Sequence, residues 1–391
     1  MELSKKSKQL LLFFTKHHDL NYVKHTTKTK RILTQLYQSL YEAYEYVNVN
    51  TNIAFRTTFK QIQSARQITK PKIFNEGNFP QNVIAHINEH MVAEIKYTFS
   101  LYERNIHIYF IVEDAHFQRE IDTYNKYAQT IAIWLHVLNQ YSSKKCAKTL
   151  TVYLYFTSLG KQLPPSNVHI LDENNVNTAF TTTCPVISEI VIFRREEWFK
   201  VFIHETFHNF GLDFSAMNCD HLHLRIMDIF DIHTQTMCAY ETYTEFWANI
   251  INTLFCSFFA LKNKKNVHAF LENSEIYIHY ERAFCLFQMV KTLDFMGLKY
   301  TDLYSTSSLS RQLRENLYKE KTAVFSYFVL KTILLNNYQG FLDWCNTHNS
   351  PILDFNKTYE TQQSFFEFIQ KNYKTRSMLT GVKEVDIVGE M

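Results

Sequence analysis

Glycine and proline are both scarce in this 391-residue chain, which contains only seven glycines and six prolines. So few turn-forming residues predict long regular elements, mostly helices, joined by few tight turns. A large excess of charge of one sign is also lacking, because the formal net charge is only +3. That balance gives no reason to expect nucleic acid as a partner. The hydrophobic fraction of 46% and the charged fraction of 20% are typical of an ordinary folded protein.

The chain also lacks a Cys-x-x-Cys pair, and its seven cysteines are odd in number and lie partly in apolar runs. This pattern predicts free thiols in a reducing compartment rather than a disulfide framework. The most apolar window, WANIINTLFCSFFALK, is shorter than the roughly 20 residues of a spanning helix. The apolar run LLLFF near the first lysines is too short for a signal peptide. We therefore expect an intracellular, cytoplasmic protein without a membrane segment.

Hydrophobic periodicity and composition divide the chain into four regions. Residues 1–85 are predicted to be mostly helical, and they end in a stretch that collects Pro, Gly and Asn. Residues 86–262 mix strand and helix patterns and form the predicted core. Residues 263–376 are predicted to be a helical C-terminal region, and residues 377–391 a flexible tail.

Within the core region the predicted elements follow one another in a regular order. Two runs with period two over roughly 92–114 predict a β-hairpin, and 119–143 has the spacing of an amphipathic helix. Strands are predicted at 149–158 and 188–196. A further helix is expected to begin near 196–198.

That last helix contains the stretch FKVFIHETFHNFGLDFSAMN, with His204, Glu205 and His208. Residues four apart lie on one helix face, so two imidazoles can point at one ion with the glutamate beside it. This is the H-E-x-x-H arrangement, in which the glutamate is the general base for a zinc-bound water. A buried, unpaired glutamate would be costly, so a purely structural helix explains the pattern poorly. Gly211 follows where a helix-ending glycine is expected.

A catalytic zinc ion needs a third protein ligand and one open position. A metzincin-like continuation would place that ligand at position 214, but this residue is Phe214, and Asp213 is one residue too early. The later stretch CAYETYTEFWANIINTLF offers Glu241 and Glu245, which are four apart on one predicted helix face. Either glutamate is a candidate for the third ligand.

The H-E-x-x-H motif followed by TEFWAN resembles the gluzincins, and TEFWAN is similar to the third-ligand helix of anthrax lethal factor and ImmA-type peptidases. The resemblance implies Glu245 as the zinc ligand, Ala248 as a small contact, and Asn249 as a group that supports a ligand. Glu241 would then orient a histidine ligand or compete for the metal. The resemblance also implies an α+β fold with a zincin-like catalytic core. Such a core has a small, mostly antiparallel sheet plus the active-site helix, here between predominantly helical N- and C-terminal regions.

In such a site Glu205 accepts a proton from the zinc-activated water and passes it to the leaving amine of a cleaved peptide bond. The developing oxyanion needs a further donor, for which Tyr240, Tyr243 and His233 are candidates. A zincin lobe commonly pairs an edge strand with extended substrate, and SEIVIFRR is the candidate strand. A purely structural internal strand is the alternative.

The wider stretch VIFRREEWFKVFIHETFHNF, with ETYTEFWANIINT after it, resembles uncharacterised metallopeptidases encoded by large nucleocytoplasmic DNA viruses. We therefore expect a Zn²⁺-dependent metallopeptidase with a polypeptide substrate, and virion components as its partners. The main alternative is a catalytically silent zincin-fold protein with a structural or virion-associated role. A third reading, a helical protein with a chance motif, predicts no metal at 204–245.

Overall fold

The computed structural model describes residues 8–9, 12, 22–49, 52–232 and 234–389, and these residues form an α+β protein. The strands are β1 (Arg56–Gln61), β2 (Ala93–Leu101), β3 (Arg104–Val112), β4 (Thr149–Phe156), β5 (Ala179–Thr181) and β6 (Ile187–Ile192). The helices are α1 (Thr27–Tyr44), α2 (Gln81–His90), α3 (Ile121–Leu138), α4 (Glu173–Val176), α5 (Trp198–Asn209), α6 (Asp220–Phe230), α7 (Ala239–Phe259), α8 (Val267–Phe295), α9 (Ser308–Leu317), α10 (Lys331–Asn336), α11 (Tyr338–His348), α12 (Tyr359–Asn372) and α13 (Arg376–Gly389).

The chain divides into two compact units. The sheet unit comprises Gln38–Gln162 and Glu173–Ala216, and it contains all six strands together with α5. The helical unit comprises Met1–Tyr37, Leu163–Asp172 and Met217–Met391, and it contains α6 to α13.

The six strands form one mixed sheet in the order β1-β2-β3-β4-β6-β5. The predicted hairpin is confirmed as β2 and β3, in which Ala93 pairs with Val112 and Leu101 with Arg104. Strands β3, β4 and β6 are parallel neighbours, whereas the pairs at both ends of the sheet are antiparallel. Parallel strands need a crossover, and α3 supplies the one between β3 and β4.

The centre of the sheet is covered on both faces, as the continuous apolar pattern of its parallel strands requires. Trp134 and its neighbours on α3 are fully buried. On the opposite face, Phe79 and two residues of α2, Val83 and Ile87, pack in one cluster with Tyr155 of β4. This packing makes the middle of the sheet a rigid support for the helix that follows β6.

Strand β1 adds one strand to the region 1–85, in which helix remains the commonest regular structure of the described residues. Five of its six side chains are exposed, with only Thr57 half-buried, so no apolar alternation marks it in the sequence. Main-chain pairing with β2, from Arg56 opposite Thr98 to Gln61 opposite Ala93, holds it in the sheet. Its strand character is therefore set by a partner distant in sequence rather than by its own residues.

Strand β6 is not the free edge that a substrate-pairing strand would need. Residues Ile190–Ile192 pair with β4 on one side and with β5 on the other. The short strand β5 closes this end of the sheet. The sheet ends are β1 and β5, so the structural alternative for SEIVIFRR is the correct one over these residues.

The C-terminal segment is also different from the expected flexible tail. Residues Arg376–Gly389 form α13, in which Met378 and Val385 are buried. A Cβ atom at Gly381 would lie 2.8 Å from a methyl carbon of Leu286 on α8, so the glycine allows the two helices to approach closely. The segment therefore forms a helix that packs against α8 through its apolar side.

Two cysteines differ from the prediction that all seven are free. Cys146 and Cys184 form a disulfide within the sheet unit, whereas Cys219, Cys238, Cys256, Cys285 and Cys345 are free thiols. The bonded residues are 38 positions apart, a separation that carries no recognisable sequence signal. The expectation of a reducing compartment was based on seven free cysteines, and the disulfide weakens that argument.

The helical unit is built around α7 and α8, which pack against each other, while α8 also contacts α13. Most of α7 is buried, including Phe246, Trp247 and Ala248. No helix in the described part of the chain has the length and hydropathy needed to span a lipid bilayer.

Candidate metal centre

Helix α5 carries the H-E-x-x-H residues, and its C-terminal end is closed by the predicted glycine. Gly211 has a φ of +67°, its N–H donates to the oxygen of His208 at 3.0 Å, and the N–H of Leu212 donates to the oxygen of Phe207 at 2.8 Å. This pair of bonds is the Schellman arrangement, which ends a helix with a left-handed glycine. The chain therefore turns back immediately after His208.

Buried hydrogen bonds fix the rotation of α5 on the sheet unit. The indole N–H of Trp134 on α3 donates to the hydroxyl oxygen of Thr206 at 2.8 Å. One turn further on, Asn209 accepts a hydrogen bond from the hydroxyl of Ser188 at 2.6 Å and donates to Thr181 at 2.8 Å. These contacts occupy the face with Thr206 and Asn209, which leaves His204 and His208 together on another face.

The two histidines converge as the spacing predicts. Their Nε2 atoms are 3.2 Å apart, and the ring planes are inclined by 74°. Two nitrogens about 2.0–2.1 Å from a tetrahedral zinc ion are themselves about 3.3 Å apart. The pair therefore has the separation of two adjacent ligands on such an ion. Glu205 adjoins His204 on the same helix and is 7% exposed.

Asp213 is a residue of this site that the sequence interpretation set aside. It was considered only as a metal ligand, for which it stands one residue early. In the structure its Oδ2 contacts Nδ1 of His208, the ring nitrogen opposite the Nε2 that faces His204. The signal that would have found it is the helix-ending Gly211, because a chain that reverses there brings the next acidic residue back to the helix end.

On α7, Glu241 and Glu245 stand one turn apart, as predicted. Both glutamates belong to the helical unit, whereas His204 and His208 belong to the sheet unit. Glu245 is buried. Burial raises the pKa of the Cys285 thiol on α8 to about 12, and the negative charge of Glu245 contributes to that increase.

The remaining predicted residues of α7 have defined surroundings. The Asn249 side chain donates to the main-chain oxygen of Glu245 at 2.9 Å. The hydroxyl of Tyr243 donates to the main-chain oxygen of Leu353 at 2.9 Å, and the side chain is fully buried. Because a phenol has one proton to donate, this bond occupies the proton of Tyr243. Tyr240 is half-buried. His233 lies outside the described residues.

No family model matches the chain, and neither a curated protein nor a solved structure matches it. The likeness to gluzincins therefore rests on the residues of the two motifs. Beyond its α+β class, the fold is not assigned to a family.

Proposed function

We propose that this protein is a zinc-dependent metallopeptidase, with His204 and His208 as two of the metal ligands. The observation that carries the proposal is the 3.2 Å separation of the two Nε2 atoms, which corresponds to two ligand positions of a tetrahedral ion. A hydrogen bond between the two imidazoles would give the same distance, and the elemental analysis described below separates the two explanations. Two histidines with a carboxylate are also a ligand set that catalytic zinc sites use.

For the third ligand we propose a glutamate of α7. The resemblance to gluzincins implies Glu245, and Glu241, one turn earlier on the same helix, is the alternative. A metal ion held by either set would act as a Lewis acid and lower the pKa of bound water.

The proposed role of the chain's own residues follows from their positions. Glu205 is next to His204, largely withdrawn from solvent, and is the general base that takes up a proton and delivers it to the leaving amine. A metal with a purely structural role would have no use for such a base. Its presence favours peptidase activity over the catalytically silent alternative. Tyr240 is the proposed oxyanion donor, and polypeptide is the proposed substrate.

Elemental analysis of purified protein tests the metal assignment. We expect about one zinc per chain in the wild type and a large loss in His208→Ala, because only two of the three proposed protein ligands would remain. Glu241→Gln and Glu245→Gln form a matched pair on the same helix, and the one that loses zinc identifies the third ligand. Equal zinc in the wild type and His208→Ala would contradict the proposal.

Cleavage of a library of unstructured peptides, followed by mass spectrometry, tests the reaction. Glu205→Gln is expected to retain zinc and to lose cleavage by at least about 100-fold, since a general base contributes 10²–10⁴ in rate. A wild-type protein that holds zinc but cleaves nothing would support the structural alternative. Unchanged cleavage by Glu205→Gln would place the activity elsewhere.

A further inference from the structure

We infer that Asp213 is a positioning residue that sets the tautomer of His208 and directs its Nε2 atom towards the metal position, an inference that rests on the proposed zinc site. Asp213 is 1% exposed, and its Oδ2 contacts Nδ1 of His208. A carboxylate accepts hydrogen bonds and donates none, so Nδ1 must carry the proton. The lone pair of His208 is then on Nε2, the atom that faces His204.

The second oxygen of this carboxylate is held as firmly as the first. Oδ1 of Asp213 accepts the main-chain N–H of Ser215 at 2.8 Å and its hydroxyl at 2.6 Å. With both oxygens engaged, the carboxylate cannot rotate away from the imidazole without losing hydrogen bonds. A buried carboxylate fixed in this way orients a ligand more strictly than a mobile surface group would.

The path of the chain explains how Asp213 reaches a residue on the preceding helix. The left-handed Gly211 reverses the chain, and its flanking residues Leu212 and Phe214 are buried. A Cβ atom at position 211 would lie 3.3 Å from Cβ of Cys184, a tight contact in addition to the unfavourable φ. The main-chain N–H of Cys184 donates to the oxygen of His208 at 3.2 Å. Backbone and side chain of His208 are therefore restrained by two separate segments.

A merely structural interpretation would make Asp213 a group that closes the helix end and nothing more. That role would affect stability, but it would be indifferent to which ring nitrogen of His208 carries the proton. The tautomer of His208 therefore distinguishes the two roles without any measurement of activity.

The tautomer can be measured by ¹⁵N nuclear magnetic resonance on metal-free protein labelled at histidine, with the His208 signals assigned by their absence in His208→Ala. We expect a neutral His208 to be protonated on Nδ1 in the wild type. In Asp213→Leu, which cannot accept a hydrogen bond, we expect a mixture of tautomers. Protonation of wild-type His208 on Nε2 would overturn the inference, and this result requires no Asp213 variant to fold.

Zinc affinity, measured by competition with a chromophoric chelator, supplies the second readout. Supporting groups of this kind typically contribute 10–100-fold to metal affinity, so Asp213→Asn is expected to bind zinc about 10-fold or more weakly than the wild type. Asp228→Asn is the matched control, because Asp228 is an exposed aspartate on α6. We expect it to bind like the wild type.

The outcomes separate this inference from the proposal on which it rests. If the wild type binds no zinc, the proposed function fails. If the wild type binds zinc and Asp213→Asn binds it equally well, only the role of Asp213 fails. If Asp213→Asn does not fold, the tautomer of His208 in the wild-type protein decides, and protonation on Nε2 would overturn the inference.

Discussion

Replacing the disulfide by two serines, in Cys146→Ser/Cys184→Ser, should destabilise the sheet unit by several kcal/mol. The bonded residues are 38 positions apart. In the loop-entropy model, closing a loop of this length in the unfolded chain corresponds to roughly 4 kcal/mol at 25 °C. Because unfolded chains retain structure, this value is an upper estimate. A loss of about 2–4 kcal/mol in the free energy of unfolding is therefore expected.

Urea denaturation followed by tryptophan fluorescence measures this loss, since Trp134 and Trp198 both belong to the sheet unit. The control is Cys238→Ser/Cys256→Ser, which removes two half-buried free thiols and leaves the disulfide intact. Wild-type protein under a thiol reductant should behave like Cys146→Ser/Cys184→Ser. Identical unfolding midpoints for the oxidised wild type and that variant would refute the reasoning.

Two further predictions concern buried polar groups. Thr206→Val keeps the shape of the side chain but leaves the Trp134 indole N–H without its acceptor, so we expect a loss of about 1–3 kcal/mol in unfolding free energy and a matching fall in the thermal midpoint. Thr253→Val is the control, because the Thr253 hydroxyl donates to Asn249 of its own helix. A smaller loss of unfolding free energy in Thr206→Val than in Thr253→Val would contradict the importance of the contact with Trp134. Burial lowers the pKa of His25 to about 4, although the nearby Glu275 raises it. Between about pH 6.5 and pH 4, His25 is protonated in the unfolded chain but neutral in the folded protein. The free energy of unfolding should therefore fall as the pH is lowered from 6.5 to 4. His25→Leu should lessen that fall in pH-dependent denaturation, and an unchanged pH profile would show that other groups cause it.

Periodicity predicted the central part of the fold because those elements bury one regular face. The hairpin of β2 and β3 shows period two, and α3 shows the helical spacing that places Trp134 in the core. The helix of the H-E-x-x-H motif and its final Gly211 were predictable for the same reason, since spacing and capping are local properties.

The features that the sequence did not reveal depend on partners distant along the chain. Strand β1 has polar, exposed side chains, and only its pairing with β2 makes it a strand. The bond between Cys146 and Cys184 requires the fold before the two sulfurs can meet. Asp213 was assessed for what it could ligate, whereas its actual contact depends on the sharp reversal at Gly211.

Strand β1 also has a consequence for how molecules of this protein behave in concentrated solution. Among the described strands, none pairs with β1 on the side away from β2, and the side chain of Phe59 in this strand is half exposed. An edge strand of this kind has unpaired main-chain N–H and C=O groups, so a strand of another polypeptide can pair with it. Arg56 and Lys60 flank Phe59 in the sequence of this strand. Their positive charges would repel the same two residues of a second copy that approached this edge. Resistance to self-association is thus assigned to side chains that contribute almost nothing to the interior.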